Sequence, residues 1–171
     1  MTADSTTHRT SPDADLLAHL LRAAVALDSY PSGTGRLAVE SVDTVARSIT
    51  RLSHDAPPGS VFHHVRDIPA DAPYTALQRA GYPLLPLPEA HWYQQVHLGA
   101  DHPDIHPAAV LAHLLGATDR TAPHLPVLDT TTTYTALHPG DVRPPNLDTP
   151  YFDHLVAGLV QHHILPPPPD R

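Results

Sequence analysis

The segment Asp101-His102-Pro103-Asp104-Ile105-His106 contains the residue types that could bind a divalent metal ion. Imidazole and carboxylate ligands suit zinc, iron or manganese, and His102, Asp104 and His106 lie close enough for one loop to bend around an ion. Such a site, with a bound water as nucleophile, would indicate a small metal-dependent enzyme or a metal-binding protein. The alternative is a solvated loop in which Asp104 or His106 caps the next helix, because the spacing matches no known ligand motif.

A second candidate site is rich in glycine. The stretch Gly33-Thr34-Gly35-Arg36-Leu37-Ala38 fits the loose dinucleotide-binding pattern G-x-G-x-x-[GA]. That pattern belongs after a β-strand, and a helix is expected to precede it here, so nucleotide binding is not predicted. The backbone amides of Gly33 and Gly35, with Arg36 beside them, could still hold a phosphate or a carboxylate. The alternative is a flexible turn between two helices.

A third candidate is a surface for a protein partner. The stretch Tyr82-Pro83-Leu84-Leu85-Pro86-Leu87-Pro88 is predicted to be extended, because proline recurs throughout it. Its leucines Leu84, Leu85 and Leu87 either lie across the core or form a ligand for a partner. Trp92 could belong to the same surface, or it could anchor its own helix in the core.

Two residue types are absent, and their absence excludes several kinds of chemistry. The chain has no cysteine, which removes thiolate nucleophiles and iron–sulfur clusters. All ten basic residues are arginine, so the lysines of P-loop ATP binding and of pyridoxal phosphate enzymes are missing. The sequence identifies no cofactor outright: it leaves a divalent metal (Zn, Fe or Mn) open and disfavours pyridoxal phosphate, iron–sulfur clusters and P-loop ATP.

The net charge and the hydropathy of the chain limit the kinds of partner that it is expected to bind. A formal net charge of −8 makes nucleic-acid binding improbable, because phosphate backbones are bound by basic surfaces. No apolar run approaches the ~20 residues of a membrane-spanning helix, so no membrane contact is expected. The polar N-terminus lacks the apolar region of a secretory signal, and a cytoplasmic location is expected. The remaining expectation is a protein partner or a homodimer.

Hydrophobic periodicity predicts short helices separated by proline-rich connections. Ser11 and Pro12 are typical of a helix start, and the first helix is expected to run to about Leu27. A second helix is expected from Arg36 to Ser53, and with the first it would form an antiparallel hairpin. Its apolar positions follow a spacing of 4, 3, 4 and 3 residues, which predicts one buried face. These positions are Ala38, Val42, Val45, Ile49 and Leu52.

Weaker signals indicate the elements that follow the second helix. The expected elements are a short strand over 61–68, helices over 71–80, 88–98 and 107–117, a β-segment or loop over 129–137, and a final helix opened by Thr149 and Pro150. Val110, Leu111, Leu114 and Leu115 are expected to face inward. Gly81 is expected to terminate the helix over 71–80.

Together these patterns predict a mainly α fold, a compact bundle of about five or six short helices with at most a small β element. The expected organisation is a disordered arm over 1–11, a single helical domain over 12–165 and a proline-rich tail over 166–171. The favoured function is a non-catalytic protein-interaction or regulatory module of a soluble bacterial system. The metal-dependent enzyme or metal-binding protein described above is the alternative.

Overall fold

We analysed a computed structural model of the chain. It describes residues 15–33, 35–114, 128–137 and 142–169, together with Asp4, Thr7 and Gly140. The predicted N-terminal arm and the expected helix start at Ser11 lie outside the described residues, apart from Asp4 and Thr7. The predicted proline-rich tail is described as far as residue 169, and the Tyr82 hydroxyl donates a hydrogen bond to the Pro166 carbonyl oxygen.

Four short strands lie among the first four helices of the described chain, and three further helices follow them. The elements are α1 (Leu16–Ala26), β1 (Ser29–Ser32), β2 (Arg36–Val39), α2 (Val42–Asp55), β3 (Arg66–Pro69), α3 (Ala72–Ala80), β4 (Leu85–Pro88), α4 (Glu89–Leu98), α5 (His106–Leu114), α6 (Thr131–Ala136) and α7 (Thr149–Gln161). The predicted helical bundle is therefore wrong, and the chain is a mixture of helices and small sheets. Strands of four residues are too short to show the alternation by which a strand is detected in sequence. No helix in the described part of the chain is long and apolar enough to cross a membrane.

The four strands form two separate two-stranded sheets within the described residues. β1 pairs in parallel with β4, and β2 pairs in antiparallel fashion with β3. Prolines occur in both strands of the first sheet, at Pro31, Pro86 and Pro88. Proline lacks a backbone N–H, and it is tolerated here because every strand of a two-stranded sheet has an edge that needs no partner.

The predicted hairpin of the first two helices is also wrong. β1 and β2 separate α1 from α2, and α1 packs against α5, α3 and β1 instead. The stripe predicted to be buried on the second helix is turned partly to solvent, since Ile49 is 63% exposed and Val42 is 38% exposed. The buried residues of α2 are Thr44, Ser48 and Leu52.

The later helices follow the sequence more closely. α3 ends at Gly81, which has a φ of 108° and so adopts the left-handed conformation that glycine favours. α7 buries Phe152, Leu155, Val156 and Leu159. Its N-cap is Asp148 rather than the expected Thr149, and the Asp148 carboxylate accepts from the Tyr151 amide. On α5 the prediction was partly wrong, because Val110 and Leu114 are exposed and the alanines are buried. The predicted β-segment or loop near residue 130 contains a short helix, α6.

Trp92 on α4 is the largest fully buried side chain. Its indole Nε1 donates a 2.9 Å hydrogen bond to the Ser29 carbonyl oxygen of β1, so the one polar atom of the ring is paired. Tyr74 and Tyr93 meet the ring edge to face, at centroid distances of 6.4 and 5.0 Å. Trp92 therefore joins α3, α4 and the parallel sheet.

Replacement of Trp92 should test this role. Trp92→Ala removes a fully buried ring and leaves a cavity, so we expect the free energy of unfolding to fall by about 3–5 kcal/mol. Leu98→Ala is the matched control on the same helix. Because Leu98 is 80% exposed, its replacement should lower the free energy of unfolding by no more than about 0.5 kcal/mol. Urea denaturation measures both. Equal losses of unfolding free energy in the two variants would contradict the structural role assigned to Trp92.

Candidate functional site

One cavity collects residues from four parts of the fold. It has a volume of about 220 Å³ and lies between α1, the β1–β2 turn, α3 and the start of α4. We call it the tyrosine cavity. The residues that line it are Leu20, Pro31, Ser32, Gly33, Gly35, Arg36, Leu37, Ala70, Tyr74, Glu89 and Tyr93.

Aromatic packing makes one wall of the tyrosine cavity rigid. Tyr74 and Tyr93 are only 3% and 7% exposed, and both contact Trp92. On its other side Tyr74 stacks on Tyr30 of β1, with ring centroids 5.4 Å apart. Two helices and a strand therefore hold the tyrosine rings in place before any ligand arrives.

The two tyrosines are hydrogen-bond donors at neutral pH. Burial raises the pKa of Tyr74 well above 10.0, and the nearby Tyr93 and Glu89 raise it further. Burial likewise raises the pKa of Tyr93, with a smaller effect from Glu89. Neither hydroxyl makes a hydrogen bond to another described residue. Both O–H groups can therefore donate to a carbonyl or hydroxyl oxygen of a ligand.

Glu89 stands at the rim of the tyrosine cavity, where α4 begins. Its carboxyl group is partly desolvated, and this burial raises its pKa above the usual 4.5. Within the described chain it forms no ion pair and no hydrogen bond. A carboxyl group in this position can accept a hydrogen bond from a ligand, or donate one when protonated.

The predicted anion-binding residues Gly33, Gly35 and Arg36 all line the tyrosine cavity, at the rim formed by the β1–β2 turn. Arg36 Nη2 donates a 2.7 Å hydrogen bond to the Asp67 carbonyl oxygen, and the Arg36 side chain remains 59% exposed. The glycine-rich pattern follows a strand, contrary to the expectation that a helix precedes it. It leads into β2 rather than into a helix, so it lacks the strand–turn–helix context of dinucleotide binding. Anion binding at this rim stays a prediction.

The predicted metal ligands lie in the connection between α4 and α5. Arg22 of α1 forms a 2.5 Å ion pair with Asp104, and a His106 ring nitrogen lies 3.0 Å from the Ala100 carbonyl oxygen. The Asp104 amide donates to a ring nitrogen of His102. Within the described ranges, no three His, Asp or Glu side chains are grouped so that they could hold a metal ion. The loop uses these atoms for its own hydrogen bonds.

The predicted interaction residues fall mostly in the interior. Trp92 and Leu84 are buried, and Leu87 is partly buried against the core. Only Leu85 of the four is well exposed, at 67%. Leu84 and Leu85 are adjacent in an extended segment, so their side chains point to opposite sides, and only Leu84 reaches the core.

A buried polar cluster around Glu40 was not predicted from the sequence. Glu40 is 1% exposed and accepts hydrogen bonds from Arg66 Nε at 2.8 Å and from Arg66 Nη2 at 2.6 Å. The Ser41 amide donates to the same carboxylate at 2.9 Å. Arg66 Nη1 reaches the Pro145 carbonyl oxygen at 2.6 Å. This ion pair joins β2, β3 and the connection before α7.

His64 extends the cluster towards α2. Its Nε2 lies 2.6 Å from Ser48 Oγ, and its Nδ1 lies 3.8 Å from Glu40 Oε2. The order of groups is that of a serine hydrolase triad, but Ser48 is 1% exposed and its hydroxyl also bonds the Thr44 carbonyl oxygen. A substrate cannot reach this serine, so the cluster is structural.

One feature of the sequence, the scarcity of glutamate, indicates both the buried ion pair and the tyrosine cavity. Of the 18 acidic residues only Glu40 and Glu89 are glutamate. The first forms the buried ion pair and the second lines the tyrosine cavity. Tyr74 and Tyr93 gave no such signal, because they lie on two different helices, α3 and α4, and no local pattern links them.

Comparison with known proteins identifies a relative of the fold. No protein-family profile matches the sequence, and no curated protein matches it. The structure is similar to the crystal structure of the terminal R domain from the myxalamid PKS-NRPS biosynthetic pathway, with a TM-score of 0.83 and 25% sequence identity. The similarity covers 98% of this chain and 44% of that chain. This chain is similar to less than half of an R domain.

This similarity corrects the function predicted from the sequence. The non-catalytic protein-interaction module is wrong, because nearly the whole chain resembles part of a domain from a biosynthetic pathway. The alternative, a small metal-dependent enzyme or metal-binding protein that uses His102, Asp104 and His106, stays a prediction. In the described ranges, no three possible ligands are grouped around one point there.

The ion pair between Glu40 and Arg66 leads to a stability prediction. Arg66→Met leaves a buried carboxylate without its partner, and we expect a loss of about 3–5 kcal/mol in the free energy of unfolding. Arg51→Met is the matched control, since the exposed pair of Arg51 with Asp55 should contribute only about 0.3–0.5 kcal/mol. Adding Glu40→Gln to Arg66→Met should restore part of the loss. A loss in Arg66→Met no larger than in the control would contradict the prediction.

His64 leads to a pH prediction. Burial lowers its pKa below 6.5; Arg66 acts in the same direction and Glu40 opposes it. The unfolded chain therefore binds the proton more readily, so stability is full above about pH 6.5 and falls as the pH drops towards the folded pKa. His64→Gln should reduce this loss, which has a limiting slope of about 1.4 kcal/mol per pH unit.

The exposed His91 provides the control for this titration. The free energy of unfolding of wild type, His64→Gln and His91→Gln is measured by urea denaturation between about pH 5 and pH 7.5. We expect His91→Gln to follow the wild type over the whole range. The same pH dependence in all three proteins would exclude His64 as the source of the stability loss at low pH.

Proposed function

We propose that this chain is the substrate-binding part of a reductase in a biosynthetic pathway of the polyketide and nonribosomal-peptide type. The observation that carries the proposal is the similarity to the terminal R domain, which extends over 98% of the chain with a TM-score of 0.83. R denotes reductase in this class of assembly. A cytoplasmic location, as predicted from the sequence, is part of the same proposal.

The reduction needs a hydride donor, which we assign to a reduced nicotinamide dinucleotide bound outside this chain. When bound, that donor would supply a hydride to a carbonyl carbon of the substrate, and the carbonyl oxygen would take a proton. No described strand runs through a glycine-rich turn into a helix, as a dinucleotide site requires. The chain spans 44% of the R domain, which leaves room for that site elsewhere.

The tyrosine cavity suits the reacting end of such a substrate. Its walls combine apolar, aromatic and polar surface, and Tyr74 and Tyr93 supply two neutral donors from which a carbonyl oxygen can accept. Their raised pKa values make them weak acids, so we assign them to binding and orientation of the substrate. The cavity of about 220 Å³ is smaller than the ~300 Å³ of a typical ligand pocket, so a longer substrate must extend beyond it.

The rim of the cavity offers a second contact to the substrate. The exposed guanidinium of Arg36 and the backbone amides of Gly33 and Gly35 suit an anionic group. A substrate with a carbonyl at one end and a phosphate or carboxylate further along would contact both regions. This arrangement would fix which carbonyl lies beside the tyrosines.

Ligand binding to the purified chain tests the proposal. We expect short acyl compounds that end in a carbonyl group, such as hexanal and a hexanoyl thioester, to bind in calorimetric titration. Tyr74→Phe and Tyr93→Phe each remove one hydrogen bond, which should weaken binding about 3- to 10-fold. Tyr134→Phe is the control, because Tyr134 lies on α6, outside the cavity. If the compounds do not bind, or if the control weakens binding equally, the tyrosine cavity is excluded as the substrate-binding site.

The reductase activity itself is measured on the assembly isolated from the source organism through a tag on this chain. We expect oxidation of reduced nicotinamide that depends on the added carbonyl compound. Tyr74→Phe should raise KM more than it lowers kcat, because the role assigned to it is binding. An isolated assembly that oxidises no nicotinamide with any compound of the set would contradict the proposed function.

A further inference from the structure

Glu89 brings a negative charge to the tyrosine cavity. Among the described residues that line the cavity, Glu89 is the one acid and Arg36 the one base. Arg36 has an acidic neighbour of its own, because its Nε lies 3.9 Å from Asp67 Oδ2. Burial raises the pKa of the Glu89 carboxyl group, and no described cation lies close enough to lower it. A ligand in the cavity therefore meets a carboxylate whose charge no other described residue balances.

The Glu89 carboxylate lies beside the two tyrosines. Glu89 and Tyr93 are four residues apart on α4, so they project from the same side of the helix. The carboxylate is also close enough to raise the pKa of both Tyr74 and Tyr93. The two tyrosines are only 3% and 7% exposed, and their hydroxyl groups bond to no described residue. The cavity thus combines two buried donors that lack partners with one charged acceptor.

The position of Glu89 in its helix explains only part of this arrangement. Glu89 is the first residue of α4, and a carboxylate in the first turn stabilises a helix through the helix dipole. A carboxylate turned to open solvent would satisfy that role equally well, whereas Glu89 lines the cavity. Partial burial of an ionised group costs free energy, which a cation bound beside it would recover. The chemistry of the cavity therefore favours a ligand with a positive charge.

We propose, resting on the function proposed above, that Glu89 selects carbonyl substrates that carry an ammonium group close to the carbonyl. The carbonyl oxygen accepts from Tyr74 or Tyr93, and the ammonium group donates to the Glu89 carboxylate. A cavity of about 220 Å³ admits only a small end of a substrate, so the two groups must lie near each other. Glu89 is then a specificity-determining residue, and it takes no part in hydride transfer.

Two thioesters of N-acetylcysteamine test the proposal in calorimetric titration of the full chain at pH 7. The β-alanyl and butanoyl thioesters have acyl groups of the same length, and the first carries an ammonium group where the second carries a methyl group. We expect the wild type to bind the β-alanyl thioester at least about 10-fold more tightly, because hydrogen bonds between ionised groups are stronger than those between neutral ones.

The variant Glu89→Gln removes the charge and keeps the size of the side chain. We expect the preference for the β-alanyl thioester to fall to about 2-fold or less, with the affinity for the butanoyl thioester nearly unchanged. Asp101→Asn is the matched control, because Asp101 is exposed in the connection between α4 and α5 and does not line the cavity. The control should keep the full preference. If Glu89 acts only at the helix N-terminus, Glu89→Gln will lower the free energy of unfolding and leave the preference unchanged, which overturns the proposal.

A third compound separates this proposal from the proposed function. Equal binding of the two thioesters by the wild type would refute the role of Glu89 and leave carbonyl binding intact. n-Butylamine has the ammonium group but no carbonyl group. If it binds as tightly as the β-alanyl thioester and loses affinity in Glu89→Gln, the cavity recognises cations and the carbonyl site of the proposed function is refuted. If none of the three compounds binds, both proposals are refuted.

Discussion

The buried carboxylate of Glu40 is the interaction on which the arrangement of β2, α2 and β3 depends. A carboxylate that is 1% exposed is very costly unless hydrogen bonds replace its water, and here two Arg66 nitrogens and the Ser41 amide do so. Because Ser41 is the N-cap of α2, these bonds fix where the helix begins. The rotation of α2 about its axis then follows from Ser48 and His64.

This dependence explains why the sequence predicted some helices correctly and misjudged α2. On α4 and α7 the apolar period and the buried face agree, as Trp92 and Phe152 show, whereas α1 also buries His19, which the period places on the solvent side. On α2 the apolar period is equally clear, yet polar partners from β2 and residue 64 decide which side is buried. Hydrophobic periodicity identifies which residues share a face of a helix, but only the tertiary partners decide which face turns inward.

The candidate site was predictable only in part for a similar reason. The glycines and Arg36 could be found from local sequence, because a glycine-rich turn beside an arginine is a local pattern. Tyr74 and Tyr93 come from two helices with β4 between them, and nothing local marks them as neighbours. The histidines and aspartates near residue 104 had suitable chemistry, but their atoms bond to one another and to α1.

The aromatic wall has a consequence for spectroscopy. Trp92 is the only tryptophan in the sequence, and it contacts the two rings that line the tyrosine cavity. Its fluorescence therefore arises from a single environment that excludes water. Excitation energy can also transfer to Trp92 from Tyr74 or Tyr93, because both rings contact the indole. The chain thus carries its own fluorophore beside the cavity, and filling of that cavity can be followed optically without attaching any label.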